Sequence, residues 1–374
     1  MENKNKWLIG IIVVILVIVL GVYYSNNTNS DKSDIKIAFV APLTGDVASV
    51  GQGMQIAAEL AVSEINKAGG INGRQVMLIS EDAKCDGKAA VSAVTKVINV
   101  DKVNAIVGAA CSSETVASAP VAEAAKVVMM SPLSSSPDIT NAGDYIFRDY
   151  PSDAFQGARA AELAVNTLKA KNIAVMSCAS GWCDGIKQVF IEKAKSLGAN
   201  IVFNEGFNIT TSKDLKTPLT KIKSLNPDLI YFLGYNSETV IGLKQAKEIG
   251  LKIQMLGGDS WNDPQVLAGA GSAAEGMIYL VPKAIENQTF KTELSKVNGN
   301  KGIVMGSAET YDAVKILAQT MAKVGTDSTK IKNALYKVQN YQGVSGQISF
   351  DKNGDLSSAT YDVKTVRNGK VENY

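Results

Sequence analysis

The chain has 374 residues and not one histidine. That absence removes the commonest general base and every Ser-His triad. Cys111 and Cys183 are therefore left without the base that usually activates a thiol nucleophile. There is no C-x-x-C pair, no G-x-x-x-x-G-K-[ST] loop and no G-x-G-x-x-G turn. These gaps argue against a zinc fold, a triphosphate cradle and a dinucleotide site. Basic runs are missing as well. Lys and Arg total 38 against 36 Asp and Glu, a near balance that gives no reason to expect nucleic-acid binding. The expectation is a protein that is not an enzyme and carries no metal or cofactor.

What is present is enough apolar residue for a full core, 46% of the chain, at a length suited to two domains. Residues 7–24 are uncharged and follow Lys4 and Lys6. The run is near the lower limit for a spanning helix and long for the core of a signal peptide. Bulky Tyr23 and Tyr24 stand where a cleavage site needs small residues, and they suit a membrane interface. No cysteine lies nearby to take a lipid. The expectation is an uncleaved N-terminal transmembrane helix, with its lysines inside and the rest of the chain outside. The alternative is a signal peptide, cleaved to release a secreted protein. Residues 25–34 are polar and suit a tether. Four cysteines, Cys85, Cys111, Cys178 and Cys183, suggest two disulfides on the outer side of a membrane, with a zinc site as the alternative.

From residue 35 short apolar runs alternate with helical patterns. Strands are expected at 35–40, 76–79, 105–107 and 127–130, with helices over 51–67, 88–99 and 115–125 between them. This β-α-β-α-β rhythm signals a doubly wound parallel sheet. It restarts near residues 148–153, with strands at 173–176, 200–203, 229–233 and 253–256 and helices at 154–169, 185–197, 215–224 and 239–249. A second sheet of the same design is implied, without a sequence-level repeat. Helices at 311–324 and 328–337 follow. Late strands at 347–350 and 361–366 are expected to complete the two earlier sheets.

Two loops stand out. Residues 108–115 (GAACSSET) and 131–137 (SPLSSSP) each follow an apolar strand, and a helix separates them. Both exits then lie side by side at the carboxyl edge of the sheet, where such folds bind ligands. Their small residues leave backbone N–H groups open, and the first loop runs into a helix N-terminus, a setting that favours an anion. Neither loop carries Lys, Arg or His, so a carboxylate fits better than a triphosphate. The plain alternative is that serine-rich loops only cap helices and make turns.

Taken together, the runs 41–45 (APLTG), 65–73 (INKAGGING), 82–86 (DAKCD), 108–115, 130–132 (MSP), 257–259 (GGD), 274–277 (AEGM) and 350–356 (FDKNGDL) resemble the branched-chain amino-acid-binding proteins. Those proteins have the type I periplasmic-binding fold and are the extracellular receptors of ABC importers. The resemblance spans residue 35 to the C-terminus. It implies an α/β chain of two doubly wound lobes joined by a multi-strand hinge. Residues 35–150 plus 283–358 would form one lobe, and 151–282 plus 359–374 the other, after the anchor and tether of residues 1–34. It also implies a Cys85–Cys111 disulfide bracing the first serine loop. Ser112 would hold a ligand carboxylate, with Ser134 adding a backbone contact and Ser135 a hydroxyl. Asp259 stands where relatives often place the glutamate that pairs with the ligand ammonium. Tyr235 matches a ligand-facing tyrosine. Trp182 falls where many relatives have tyrosine, and Val50 where some have an aromatic residue. Cys178 and Cys183 flank Trp182 outside the usual pattern.

The chemistry of these residues agrees with that transfer. A zwitterion needs an anion hole and an acid at opposite ends, and a desolvated Asp is tolerable when it pairs with a buried ammonium. Bland readings compete. Asp259 could cap the helix after Asp263, Ser112 could be only an N-cap, Trp182 could be core, and Tyr235 could face solvent. The leading expectation is a monomeric receptor that captures an amino acid or small amide-like ligand and delivers it to a membrane permease. The alternative is a sensor ectodomain that signals through a separate membrane partner.

Overall fold

The computed structural model describes residues 33–208, 214–283, 287–300 and 302–374. The expected anchor at 7–24 lies outside them. Among the described residues no helix is long and apolar enough to cross a membrane.

The first sheet contains β1 (Ile35–Ala41), β2 (Val76–Asp82), β3 (Ala105–Gly108), β4 (Met129–Ser131) and β5 (Ile146–Arg148). All are parallel, in the order β2-β1-β3-β4-β5. β1 reads IKIAFVA and is buried along almost its whole length. A strand covered by helices on both faces needs such a run rather than an alternating one. Helices α1 (Ala48–Lys67), α2 (Gly87–Asn99) and α3 (Ser112–Ala125) make the crossovers. On one face Phe39, Val107 and Met130 pack with Met54 and Ala58 of α1. On the other, Val40 and Ile106 pack with Val94 of α2 and Ala119 of α3.

A second sheet uses the same plan. Its parallel strands are β6 (Asn172–Cys178), β7 (Asn200–Phe207), β8 (Leu229–Leu233), β9 (Gln254–Gly257) and β10 (Ile278–Pro282), in the order β7-β6-β8-β9-β10. Helices α4 (Asp153–Glu162), α5 (Gly181–Ser196), α6 (Lys216–Leu225), α7 (Asn236–Glu248) and α8 (Pro264–Ala270) accompany them. In each sheet the winding reverses beside the first strand, between β1 and β3 and between β6 and β8. Those reversals open crevices at the strands' carboxyl ends.

The chain then returns through α9 (Gln288–Val297), α10 (Ser307–Val324) and α11 (Ser328–Leu335). Val314, Leu317 and Met321 of α10 join the core of the first sheet, beside α1. A small antiparallel pair follows, β11 (Tyr341–Gln342) with β12 (Gln347–Ile348). The strand expected at 347–350 thus does not complete the first sheet. The Asp312 carboxylate on α10 gathers the N–H groups of Val344 and Ser345 and holds this hairpin away from the sheet. The edge at β5 is met instead by the loop after it: Arg148 N–H donates to the Gly354 carbonyl at 3.0 Å. The guanidinium of Arg148 pairs with Asp355 at 2.6 Å, fully buried. β13 (Tyr361–Arg367) joins the second sheet as expected, antiparallel to β10, and β14 (Lys370–Asn373) adds a further strand beside it.

Candidate functional site

Four helices, α1, α3, α5 and α7, begin three or four residues earlier than their apolar pattern indicates. Their first turns converge, with the loops after β4 and β9, on one cavity. It is small, about 60 Å³, room for a handful of water-sized groups. Ser112, Ser135, Trp182, Tyr235, Asp259 and Val50 all line it; Ser134 does not.

The first serine loop opens α3. Cys111 occupies the N-cap and Ser112 is the first helical residue, so Ser112 is not a cap. Its hydroxyl oxygen instead accepts the N–H groups of Ser135 and Ser136 at 3.2 and 3.1 Å, tying the second loop to the first. The N–H groups of Ser112 and Ser113 have no acceptor among the described residues, as expected of a first helical turn. They are the donors an anion would meet. Glu114 fixes this turn from behind. Fully buried, its carboxylate accepts Cys85 N–H at 2.7 Å and Cys111 N–H at 2.8 Å. Burial wins over those bonds and pushes its pKa up to about 7. The Cys85–Cys111 disulfide joins the same two residues covalently.

Ser134 is turned inward. Its N–H donates to Ser131 Oγ at 3.0 Å, and its hydroxyl meets the Ala109 and Ala110 carbonyls and Thr115. Both of its donors are committed, so it has no contact to offer a carboxylate. Ser135 faces the cavity, but its hydroxyl donates to Asp153 Oδ2 at 2.7 Å. Its oxygen can accept from a ligand ammonium, whereas its proton is not free for a ligand carboxylate. Ser135 thus links the Ser112 turn, through its N–H, to the acid pair, through its hydroxyl.

The acidic end is a pair. Asp259 follows β9 and is 3% exposed; its Oδ2 accepts the Tyr150 hydroxyl at 2.7 Å. Burial raises its pKa, against hydrogen bonds from Tyr150 and Gln156 that favour the charged form. It is not the cap of α8, because Asp263 fills that place. Asp153 opens α4 with no exposure at all. Burial, and then the charge of Asp259, hold its carboxyl well above the usual range. Its Oδ1 has no partner among the described residues. Sequence reasoning missed Asp153 and Tyr150. The cap at Ser152, which accepts Ala154 N–H at 3.2 Å, makes Ser-Asp look like an ordinary helix start.

The remaining wall is largely apolar: Pro42, Val47, Val50, Leu133 and Met305, with the rings of Tyr150, Trp182 and Tyr235. Val50 can reach it because α1 crowds the loop after β1. A Cβ at Gly51 would sit 2.1 Å from the Pro42 carbonyl oxygen. Trp182, expected in a loop, lies in the first turn of α5, 6% exposed, with its ring 5.1 Å from that of Tyr235. Tyr235 is half-buried at the N-cap of α7, and burial pushes its hydroxyl up to about 12. Cys178 and Cys183 are bonded to each other. The cavity therefore brings together the open N–H groups of the α3 turn and a buried acid pair, linked through Ser135, with apolar rings on the remaining wall. Among the described residues no cluster of His, Cys, Asp and Glu could hold a metal ion.

The periplasmic binding protein family pattern matches residues 34–370. A leucine-, isoleucine-, valine-, threonine- and alanine-binding protein of Pseudomonas aeruginosa is 33% identical over 336 residues, 88% of this chain and 89% of that protein. A leucine-specific-binding protein of Salmonella typhimurium is 30% identical, covering 97% of this chain and 96% of its own. Among solved structures, the branched-chain amino acid transporter substrate-binding protein LivJ of Streptococcus pneumoniae, in complex with isoleucine, superposes with a TM-score of 0.83. It is 31% identical and covers 91% of this chain and 98% of its own.

Proposed function

The chain belongs to the periplasmic binding protein family, among the branched-chain amino-acid-binding proteins, and on that footing we propose that it is the capture receptor of an ABC importer, specific for a small aliphatic L-amino acid. The family is one of ligand binders, not enzymes. The observation that carries the reading is that Ser112, with its open N–H, and Asp259, paired with Asp153, line one largely apolar cavity, with Ser135 bonded to both sides. A ligand carboxylate lies at the helix end, where the backbone dipole favours it. Its ammonium lies between Asp153, Asp259 and the Ser135 oxygen, where its charge offsets the burial that raises both carboxyls. The aliphatic side chain meets Val50, Leu133, Trp182 and Tyr235. The small cavity and the lack of a cation at the anion end speak against a nucleotide.

In this proposal residues 35–150 plus 283–358 and residues 151–282 plus 359–374 are two lobes, which close on the ligand by a hinge motion at the crossings. The closed, monomeric form docks on a membrane permease. The receptor works at the outer face of the cell membrane, held by residues 7–24 or released after their cleavage. Two disulfides suit that compartment. Calorimetry of the purified chain with a panel of L-amino acids tests the reading: leucine, isoleucine, valine or alanine binds, and acidic and basic amino acids do not. Failure of every aliphatic member to bind removes it.

A further inference from the structure

Cys178 closes β6 and Cys183 lies in the first turn of α5, five residues later, and both are fully buried. Between them sits Trp182, the largest ring on the cavity wall. We propose that the Cys178–Cys183 disulfide is a positioning clamp for Trp182, and through it a determinant of which ligand side chains the cavity accepts. The proposal rests on the amino-acid-binding reading above.

The first turn of a helix has no internal acceptor for its N–H groups and is the first part to fray. In α5 that turn carries the wall of the site. Without the disulfide, the turn's side-chain cap is Ser180, whose oxygen accepts Cys183 N–H at 3.2 Å. The same hydroxyl lies 3.2 Å from Cys178 Sγ and also meets the Tyr235 hydroxyl. Disulfide, cap and the two rings therefore form one unit.

Trp182 is held on further sides. Its ring lies against Tyr235, and its indole N–H is turned towards Asp153, whose charged form it favours. Gly258, the residue before Asp259, lies beside the indole: a Cβ there would be in ordinary contact with Cζ2, at 3.7 Å. One residue earlier, a Cβ at Gly181 would lie 3.7 Å from Ser113 N. The first turn of α5 thus abuts the first turn of α3. A shift of residues 181–183 moves the apolar wall, disturbs the acid end through Asp153, and reaches the anion end through Ser113. A disulfide that served stability alone would have no reason to enclose the residue that shapes the site.

The test combines binding with local exchange. Cys178→Ser with Cys183→Ser is compared with wild type by calorimetry against L-leucine, L-valine and L-alanine, and by hydrogen exchange over residues 179–185. The clamp predicts faster exchange there in the free protein, with the strand Ile35–Ala41 unchanged. It also predicts that the ratio of leucine to alanine affinity shifts by about fivefold or more, the scale of a lost aromatic contact. In a Trp182→Ala background the same cysteine changes leave that ratio within about twofold, since coupled residues are not additive. An unchanged ratio overturns the proposal, and so does an equal shift with and without Trp182. If wild type binds no amino acid, the functional reading fails by itself; the clamp then stands or falls on exchange at 179–185. If the Ser variant does not fold, Cys178→Ala with Cys183→Ala replaces it, since both sites are buried among apolar residues: a changed ratio supports the clamp and an unchanged one removes it.

Discussion

Asp259→Asn separates a functional acid from a structural one. The change keeps the side chain's shape and an oxygen to accept the Tyr150 hydroxyl, now at 2.7 Å. What it removes is charge. Breaking a buried, hydrogen-bonded charge pair costs roughly 2–5 kcal/mol of binding. Asp153 remains to share the ammonium, so the lower half of that range applies. A loss of about 3 kcal/mol corresponds to roughly 150-fold in Kd. The free protein should respond in the opposite sense. Both acids sit above their ordinary pKa because burial, and for Asp153 the charge of Asp259, disfavour ionisation. The unfolded chain loses these protons first, so each acid lowers stability as pH rises from about 4 through its folded pKa. Asp259→Asn therefore melts at the same temperature as wild type or higher at pH 8, and gains nothing at pH 4. Calorimetry gives the first quantity and scanning calorimetry the second. Binding within about threefold of wild type, or a free protein that melts lower at pH 8, would show that Asp259 is a structural acid and not a ligand-pairing one.

Other outcomes follow from the same contacts. Arg148→Met leaves Asp355 buried without its guanidinium, and also removes the donor to the Ser136 carbonyl at 2.7 Å; thermal melts should show a loss of about 3–5 kcal/mol. A small loss would mean that the β5 edge does not depend on this pair. Glu114→Gln replaces two acceptor oxygens with one, so either Cys85 or Cys111 loses its bond, at about 1–3 kcal/mol. Because Glu114 is raised to about 7, wild type should lose stability as pH climbs from about 4.5 to 7, and the Gln variant should lose that part of the slope. Parallel pH profiles for the two proteins would exclude Glu114 as the source.

Strands were the legible part of this chain. A parallel strand buried on both faces is a bare apolar run, so residues 229–233 were expected as the strand they form, and 105–107 fell one residue short. The helix starts were not legible, and they matter most. α1, α3, α5 and α7 open with Ser, Gly, Asn and Ala, which lack the apolar spacing that marks a helix body. Those same turns line the cavity, and the one that opens α3 keeps the open N–H groups. Trp182 was expected in a loop for this reason. Ser134 and Ser135 could be matched to the right loop, but not to a direction, because hydroxyl orientation depends on the Ala109 and Ala110 carbonyls and on Asp153, all outside that loop. Asp153 was hidden by its capping neighbour. The anchor at 7–24 lies outside the described residues.

In the proposed receptor one cavity grips both charged groups of a zwitterion. Calorimetry of the wild-type chain with three molecules tests it: the tightest-binding aliphatic amino acid, its carboxamide, and the same acid without its amino group. Loss of the carboxylate leaves the Ser112 and Ser113 donors without an anion, and loss of the ammonium leaves Asp153 and Asp259 without a cation. Each analogue should bind at least about a hundredfold more weakly than the amino acid. Equal affinity for the acid that lacks an amino group would show that the acid pair does not hold the ligand.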